Sequence, residues 1–416
     1  MDMRELKALE IAARARIVFN GTCWLVPSQT CANKYQVSIG NEPSCTCEDF
    51  QLRRLPCKHV LAAQLVCARD GNGKAPEIVT DAVPVRPTYK QNWPLYDLAQ
   101  RTEKHRFQTL LADLCHGIES PAPPKTGRRP HLASDTIFAM VYKVYSTVSS
   151  RRFHCDLQDA HKRGHLLNPI PGMKVNSFLE NADWTPILKS LIVQSSLPLR
   201  AVATTFAPDS SGFSTCRFVR WFDEKYGVER SGREWVKAHV MTGVKTNIIT
   251  AVEILDKDAA DCPQFKPLVE TTAKNFSVKE AVADKAYLSH DNLELLHKMG
   301  GTAYVPFKSN SIAGEAGSVW ERMFHYYNFN REDFLKHYHQ RSNVESTFSM
   351  VKAKFKDSVR SKTDVAMKNE VLCKFLCHNI CVVHQSQIEL AIEPVFWKDE
   401  PAEEDTAMIL SMKRPG

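Results

Sequence analysis

Beyond residue 197 the hydrophobic pattern of the chain changes from helical to strand-like, and this change constrains the fold most. Four short segments rich in β-branched or small apolar residues are predicted to be strands: 200–206, 235–241, 247–255 and 278–283. Helical patterns lie between and after them, at 263–274, 291–299 and 338–355. Three consecutive strands followed by alternating helix and strand predict an α/β core.

The rest of the chain is predicted to form separate pieces, because 416 residues exceed the usual size of one domain. Composition shifts at two places, giving a compact cysteine-rich module at 1–69 and a Pro- and Gly-containing linker with a short helical segment at 70–125. Residues 126–196 are expected to be a small helical domain, 197–390 the α/β core and 391–416 a flexible acidic tail.

Composition places the chain among folded globular proteins, with 43% hydrophobic and 24% charged residues. The net charge of +7 fits a polyanionic partner only if the basic residues are clustered. The amino terminus carries charges at helical spacing and no secretory apolar run, and no stretch reaches the ~20 apolar residues that span a bilayer. We therefore expect a cytoplasmic protein with no membrane partner, in which thirteen cysteines bind metal or are buried.

Two pairs of residues in the first module have the chemistry of a metal site. Cys45 and Cys47 are separated by nine residues from Cys57 and His59. Thiolate and imidazole are the ligands that tetrahedral structural zinc prefers. Three other cysteines remain possible competitors as ligands: Cys23, Cys31 and Cys67.

Two aspartates follow predicted strands of the α/β core. Asp209 comes just after the first strand, and Asp284 directly follows the strand at 278–283. Ligands of open α/β sheets collect at the carboxyl ends of the strands, and carboxylate oxygens suit hard divalent cations. We therefore predict that these acids share metal ions, although an aspartate after a strand more often caps a turn.

A third carboxylate belongs to the predicted helix 338–355. At ~100° per residue, four of its side chains fall within an arc of roughly 60°: Tyr338, Arg341, Glu345 and Lys352. A carboxylate between a guanidinium and an ammonium suits metal and phosphate together, since the acid holds the cation and the bases hold phosphate. Glu345 is therefore the predicted third acid.

Rival acids follow the third predicted strand. Asp256, Asp258 and Asp261 are closely spaced between a strand and a helix. Such residues usually form a solvated loop or an N-cap, so we expect them to lie outside the site.

The residues from about Arg128 to Ser386 resemble the insertion-sequence transposases with an RNase H-like core. The signature of that family is Tyr, two residues, Arg, three residues, Glu, six residues, Lys, and it is matched at every position from Tyr338 to Lys352. Similar family motifs occur around Lys237 and His239 and from Asp284 to Tyr287.

This resemblance implies a mixed-sheet RNase H-like fold and phosphoryl transfer on DNA with two metal ions, Mg²⁺ or Mn²⁺. The acidic roles fall on Asp209, Asp284 and Glu345. Five further residues are implied to contact DNA: Tyr338, Arg341, Lys352, Lys237 and His239. The implied partners are element ends and target DNA, with a homodimer in the synaptic complex and a nucleoid location. The alternative is a domesticated, catalytically silent DNA-binding regulator.

The cysteine-rich module resembles the SWIM-type zinc finger, which has the form CxC, a variable gap, then CxH. The strand pattern at 34–39 and the apolar helix at 60–66 agree with that module. The resemblance implies structural Zn²⁺ and a role in binding DNA or protein. In Mutator-like transposases such a finger usually follows the catalytic core, so its position here leaves its partner open.

Basic residues near the predicted helical domain are candidates for holding DNA phosphates: Arg128, Arg129, Arg151 and Arg152. A solvated basic face is a comparable interpretation. Three cysteines recur every four residues in the last long helical segment, at Cys373, Cys377 and Cys381. We expect these to be buried small apolar residues rather than metal ligands.

Overall fold

The computed structural model describes residues 3–28, 34–40, 42–70, 92–120, 129–215, 235–255, 259–308 and 310–397. Their contacts divide the chain into two compact units. The first takes residues from Met1–Pro87 and Phe307–His339, and the second from Thr88–Pro306 and Gln340–Gly416. The segment 307–339, which the sequence assigned to the α/β core, therefore packs with the N-terminal unit.

Among the described residues, four short strands and three helices form the N-terminal part of the first unit: α1 (Met3–Arg14), β1 (Val18–Phe19), β2 (Trp24–Pro27), β3 (Lys34–Ser38), β4 (Ser44–Cys45), α2 (Glu48–Arg53) and α3 (Lys58–Asp70). The strands pair antiparallel in the order β1-β2-β3-β4. Helix α1 packs on α3, and Ile11, Val37 and Val60 are buried in the shared core. The strand and helix predicted here are confirmed.

Where the structure describes the start of the second unit, it has five helices: α4 (Trp93–His116), α5 (Ala133–Ser146), α6 (Ser150–Lys162), α7 (Lys174–Leu179) and α8 (Trp184–Ser196). The last four lie within residues 126–196, where the sequence predicted a small helical region. Helix α4 is a correction, because it runs for 24 residues where the sequence indicated a linker with a short helical segment. Pro94 resembled linker punctuation, but it stands in the first turn, where a helix tolerates proline.

A five-stranded mixed sheet follows, built from β5 (Thr205–Ser214), β6 (Trp235–Gly243), β7 (Ile249–Leu255), β8 (Glu280–Val282) and β9 (Thr302–Tyr304). Its order is β7-β6-β5-β8-β9. The three strands β7, β6 and β5 pair antiparallel, whereas β5, β8 and β9 run parallel. Two helices pack beside it, α9 (Phe265–Ala273) on β6 and β7 and α10 (His290–Lys298) on β9. The predicted α/β fold with a mixed sheet is confirmed.

The first core strand was placed wrongly by the sequence. The segment 200–206 was expected to be the strand, but β5 spans Thr205–Ser214 and includes Pro208 and Gly212. Proline, aspartate, serine and glycine in this segment are turn-forming residues, so local propensity argued against a strand. Pairing with β6 over nine residue pairs overrides that propensity.

Two helices of the segment 307–339 belong to the first unit: α11 (Val319–Phe329) and α12 (Arg331–Tyr338). The Phe307 ring packs edge-on against Trp320 and Phe324. Helix α11 contacts α1, and the Arg331 Nη1 atom donates to the Glu10 carboxylate at 2.8 Å. The N-terminal part of the unit and this later segment are thus joined by apolar packing and an ion pair.

The helix that carries Glu345 begins later than predicted. A 3-10 turn, His339–Arg341, separates α12 from α13 (Ser342–Phe355). The prediction of one helix through 338–355 is therefore wrong, and with it the common helical face for all four signature residues. Tyr338 ends α12 in the first unit, whereas Glu345 and Lys352 lie on α13 in the second.

The last helix, α14 (Asp364–Leu390), is 27 residues long and packs on α4, α5 and α8. Cys373 and Cys377 are fully buried there, and Cys381 is half-buried, as expected for small side chains in a helix interface. Among the described helices, none is both long enough and apolar enough to cross a membrane.

Candidate metal centres

Asp209 is held in the middle of β5 rather than after it. Its side chain is 18% exposed. The backbone N–H of Ser210 donates to its Oδ1 atom at 2.9 Å, which leaves Oδ2 directed at Arg341. Burial raises the pKa of Asp209 above its ordinary value, and the Arg341 guanidinium and the Ser210 N–H partly offset this rise.

Asp284 follows β8, the strand that runs parallel to β5. Its Oδ1 atom accepts the Lys285 N–H at 2.5 Å and so caps the 3-10 turn Lys285–Tyr287. Its Oδ2 atom lies 3.9 Å from Arg341 Nη2. Capping uses only the Oδ1 atom of Asp284, as the Ser210 N–H uses only the Oδ1 atom of Asp209. The Oδ2 atoms of both aspartates face the Arg341 guanidinium, so a capping role does not exclude a metal role for Oδ2.

Glu345 completes the group from α13. Arg341 and Glu345 are four residues apart, and Arg341 Nη1 donates to Glu345 Oε1 at 2.7 Å. The other terminal nitrogen, Nη2, lies 3.7 Å from Asp209 and 3.9 Å from Asp284. Three carboxylates that are far apart in sequence therefore surround one guanidinium, which balances part of their mutual repulsion.

The donor set fits hard divalent cations. All three acids supply carboxylate oxygens, the ligands that Mg²⁺ and Mn²⁺ prefer. Asp209 is mostly buried, whereas the side chains of Asp284 and Glu345 are 49% and 60% exposed. The group is thus mostly buried at Asp209 and open to solvent at Asp284 and Glu345.

Lys352 lies beside this group. Its Nζ atom donates to the Ser211 hydroxyl at 2.7 Å and lies 5.4 Å from the centre of the Phe213 ring. Burial lowers its pKa. Because Ser211 is two residues from Asp209 on β5, both side chains project from the same face of the strand. The ammonium is therefore anchored on the face that carries the acids.

Lys237 and His239 are placed differently from the DNA contacts that the resemblance implied. His239 is completely buried, so a direct contact with DNA is wrong for this residue. The Lys237 ammonium donates to the Ala259 carbonyl at 2.8 Å and lies 2.9 Å from Asp261. Both side chains belong to a cluster around Asp261.

Asp261 lies in a different local setting from the one that its spacing predicted. It was expected to lie in a solvated loop or to cap a helix, yet its side chain is only 27% exposed and does not cap the 3-10 turn Cys262–Gln264 that it precedes. It accepts the hydroxyl of Ser210, the neighbour of Asp209. The alternation of side chains along β5 could have indicated the contact between Ser210 and Asp261. The strand was predicted at 200–206 instead, so this alternation was not seen. Asp256 and Asp258 lie outside the described residues.

The four predicted zinc ligands converge in the first unit. The ligand atoms of Cys45, Cys47, Cys57 and His59 all lie within 4.8 Å of one another and all four residues are buried. Cys45 ends β4, Cys47 caps α2, and Cys57 and His59 stand at the start of α3. The two elements that the nine-residue gap separates are therefore brought together by folding.

The donor types of this cluster fit a metal ligand set. Hydrogen bonding from the Cys45 thiol lowers the pKa of Cys57, whereas the same contact and burial raise the pKa of Cys45, so the cluster holds one thiolate more readily than the others. His59 is buried, and its Nε2 atom has no hydrogen-bond partner among the described residues. Cys23 and Cys67 lie outside the group, and Cys31 lies outside the described residues. The arrangement fits one tetrahedral zinc ion.

The structure describes three of the four basic residues that were predicted to contact DNA phosphates near the helical region. Arg129 precedes α5, and Arg151 and Arg152 lie in the first turn of α6; all three are exposed. Arg128 lies outside the described residues. Exposed arginines on a helix can contact phosphates, so the DNA-binding role stays a prediction.

Two family models match the chain. The model described as transposase DDE domain matches residues 201–380. The model described as SWIM zinc finger matches residues 35–68. A search of curated proteins found no match. The first match contains all three clustered acids, and the second contains the four clustered cysteine and histidine ligands.

Proposed function

We propose that this chain, which carries a transposase DDE domain and a SWIM zinc finger, is an active DNA transposase that cleaves element ends and joins them to target DNA. The observation that carries the proposal is the convergence of Asp209, Asp284 and Glu345 on Arg341 in one site of the second unit. If the site no longer bound metal, nothing in its chemistry would require three carboxylates to surround the Arg341 guanidinium.

The acids would hold divalent metal ions. The chemistry that Mg²⁺ or Mn²⁺ would supply when held there is activation of a water or a 3′ hydroxyl for in-line attack and stabilisation of the leaving oxygen. Asp209 and Asp284 each offer the Oδ2 atom, since Oδ1 is engaged by a backbone N–H. Glu345, the most exposed of the three, can change its side-chain conformation as the substrate enters.

The two basic side chains beside the acids, Arg341 and Lys352, would hold the DNA backbone. The Arg341 guanidinium has five donors in a planar fork, which suits a phosphate once the acids hold metal. The Lys352 ammonium is anchored to Ser211 on the same strand face as Asp209 and provides a second positive charge. Both groups would neutralise a phosphodiester and keep it in line with the attacking oxygen.

The helical region and the finger would serve recognition. Arg129, Arg151 and Arg152 expose positive charge that can bind phosphates without reading sequence. Arg128 belongs to the same proposed basic segment. Zinc would be structural in the finger, which would contact DNA or protein. Because two element ends must be held together, we propose a homodimer in the synaptic complex.

The test is nicking of a supercoiled plasmid that carries the DNA flanking the gene on both sides, with Mg²⁺ or Mn²⁺. Wild type is expected to nick it, and Glu345→Gln, which removes one charge and keeps the side-chain shape, is expected to lose this activity. Glu294→Gln is the matched control, because Glu294 is half-exposed on α10 and pairs across one helical turn with Lys298.

Each outcome separates the proposal from the alternative. Nicking by wild type and Glu294→Gln, with none by Glu345→Gln, supports an acidic-triad transposase. Equal nicking by all three proteins points to a contaminating nuclease and contradicts the proposal. DNA binding without nicking by wild type favours the domesticated regulator.

A further inference from the structure

Asp261 gathers three polar groups around one oxygen. Its Oδ1 atom accepts the Ser210 hydroxyl at 3.1 Å, lies 2.9 Å from the Lys237 ammonium, and lies 3.5 Å from Nδ1 of His239. His239 is fully buried and Lys237 is mostly buried. In such a partly desolvated setting charge interactions are stronger than at the surface. The carboxylate therefore holds the Ser210 hydroxyl and the Lys237 ammonium firmly, with the His239 ring packed beside them.

The cluster around Asp261 lies on the opposite face of β5 from α13, the helix that carries Glu345. Side chains alternate between the faces of a strand, so Asp209 and Ser211 share one face and Ser210 points to the other. The first face meets the 3-10 turn before α13 through Arg341 and α13 itself through Lys352. The second face meets Asp261, and the β5–β6 register pairs Ser210 directly with His239. Asp261 thus does not belong to the metal-ligand group.

Ser210 connects the two faces. Its backbone N–H donates to Asp209 Oδ1 at 2.9 Å, while its hydroxyl donates to Asp261 at 3.1 Å. Rotation of this peptide would break both hydrogen bonds. The direction of Asp209 Oδ2 therefore depends on a contact made on the far side of the strand.

We propose that Asp261 is a positioning residue of the metal centre, acting through Ser210 to hold Asp209 with Oδ2 presented to the divalent cation. The inference rests on the proposed function, because it assumes that the acids bind Mg²⁺ or Mn²⁺. Outer-shell hydrogen bonds of this kind orient metal ligands, and their loss typically weakens metal affinity about 10-fold or more. Lys237 completes the cluster by neutralising Asp261 and tying it to the Ala259 carbonyl.

The experiment is a Mn²⁺ titration of the full-length, zinc-loaded protein. Binding is measured by calorimetry and by the electron paramagnetic resonance signal of free Mn²⁺. Asp209→Asn identifies the part of the binding that belongs to the acidic site. Ser210→Ala removes only the connecting hydroxyl, and Ser210→Thr keeps it. Asp261→Asn removes the charge. Glu253→Gln is the control, because Glu253 pairs with His239 in the β6–β7 register but bonds to Lys189.

The expected result is that Ser210→Ala and Asp261→Asn weaken Mn²⁺ binding at the acidic site about 10-fold, with Ser210→Thr and Glu253→Gln close to wild type. Variants that melt earlier but bind Mn²⁺ as tightly as wild type would overturn the inference and leave only a structural role. Wild-type binding that Asp209→Asn does not change overturns the metal centre itself. If Ser210→Ala and Asp261→Asn weaken Mn²⁺ binding as expected but wild type does not nick the plasmid, only the proposed activity is contradicted.

Discussion

The Nη2 atom of Arg341 lies 3.7 Å from the Oδ2 atom of Asp209, and both side chains are less than one fifth exposed. Burial raises the pKa of Asp209, and the guanidinium acts against that rise. Since a protonated carboxyl cannot bind a cation, Arg341 helps to keep Asp209 in its metal-binding form. The same side chain therefore serves ionisation of the site and, in the proposed function, phosphate binding.

Replacing Arg341 tests both effects. Arg341→Gln is expected to reduce Mg²⁺-dependent nicking about 100-fold, the usual cost of removing one electrostatic donor from an active site. Its pKa effect has a definite sign: without the cation the pKa of Asp209 rises further, so the acid limb of the pH–rate profile moves to higher pH. Arg200→Gln, at an exposed position of the second unit, is the control. An unchanged acid limb would contradict the electrostatic role.

The zinc cluster is expected to be required for the fold of the first unit. Cys57→Ser removes a ligand at the start of α3, and the helix that shares its core with α1 would lose its anchor. The expected result is loss of bound zinc and a lower thermal midpoint, since metal binding to such modules is coupled to folding. Zinc content and circular dichroism measure both.

The matched control for that experiment is Cys67→Ser. Cys67 is exposed on the same helix and lies outside the ligand group. It is expected to keep both the zinc and the midpoint of wild type. A Cys57→Ser protein with full zinc occupancy would show that another donor, such as Cys23, binds the metal instead.

Local spacing explains why much of both sites was predictable. Cys45, Cys47, Cys57 and His59 are close in sequence, so their residue types and intervals already specify a ligand set. Asp284 was predicted because the carboxyl end of a strand in an open α/β sheet is a known position for ligands. Arg341 and Glu345 are four residues apart, which helical geometry brings together.

Tertiary contacts explain what was missed. The β5 boundary depends on pairing with β6, which overrides the turn propensity of Pro208 and Gly212. Once that strand was misplaced, the alternation that directs Ser210 towards Asp261 could not be seen. The burial of His239 and the packing of residues 307–339 with the N-terminal unit likewise follow from long-range contacts. No local pattern encodes them.

Lys374 is expected to make the stability of the protein depend on pH in the alkaline range. It is 1% exposed in α14, and its ammonium donates to the carbonyls of Lys356 and Ser358. Burial lowers its pKa to about 8 from the ordinary value of 10.5. Above pH 8 the native state therefore releases a proton that the unfolded state still binds, so this residue adds stability as pH rises to 10.5.

The change is measured by urea unfolding of wild type and Lys374→Met at pH 7.5 and pH 10. Burying the charged form disfavours the native state most below pH 8, and this penalty disappears as pH rises. The wild-type free energy of unfolding, relative to that of Lys374→Met, is expected to increase by about 2 kcal/mol over this range. Equal pH dependence in both proteins would show that Lys374 keeps its ordinary pKa.

The exposed arginines of α6 are expected to bind DNA phosphates. Each phosphate contact releases counterions, so the slope of log affinity against log salt reports the number of contacts. The Arg151→Ala, Arg152→Ala double variant is expected to reduce the magnitude of this slope by about 2 and to weaken binding equally on different sequences. Fluorescence anisotropy with labelled duplexes between ~50 and ~200 mM salt measures it.

Arg101→Ala is the control, because Arg101 is also an exposed helical arginine of the second unit but pairs with Asp97 on its own helix. It removes one positive charge from α4 and is expected to leave the slope unchanged. If the control and the double variant change the slope in proportion to the charge removed, the effect comes from net charge and not from a phosphate-binding surface on α6. A slope that changes only in the double variant places the DNA backbone against that helix.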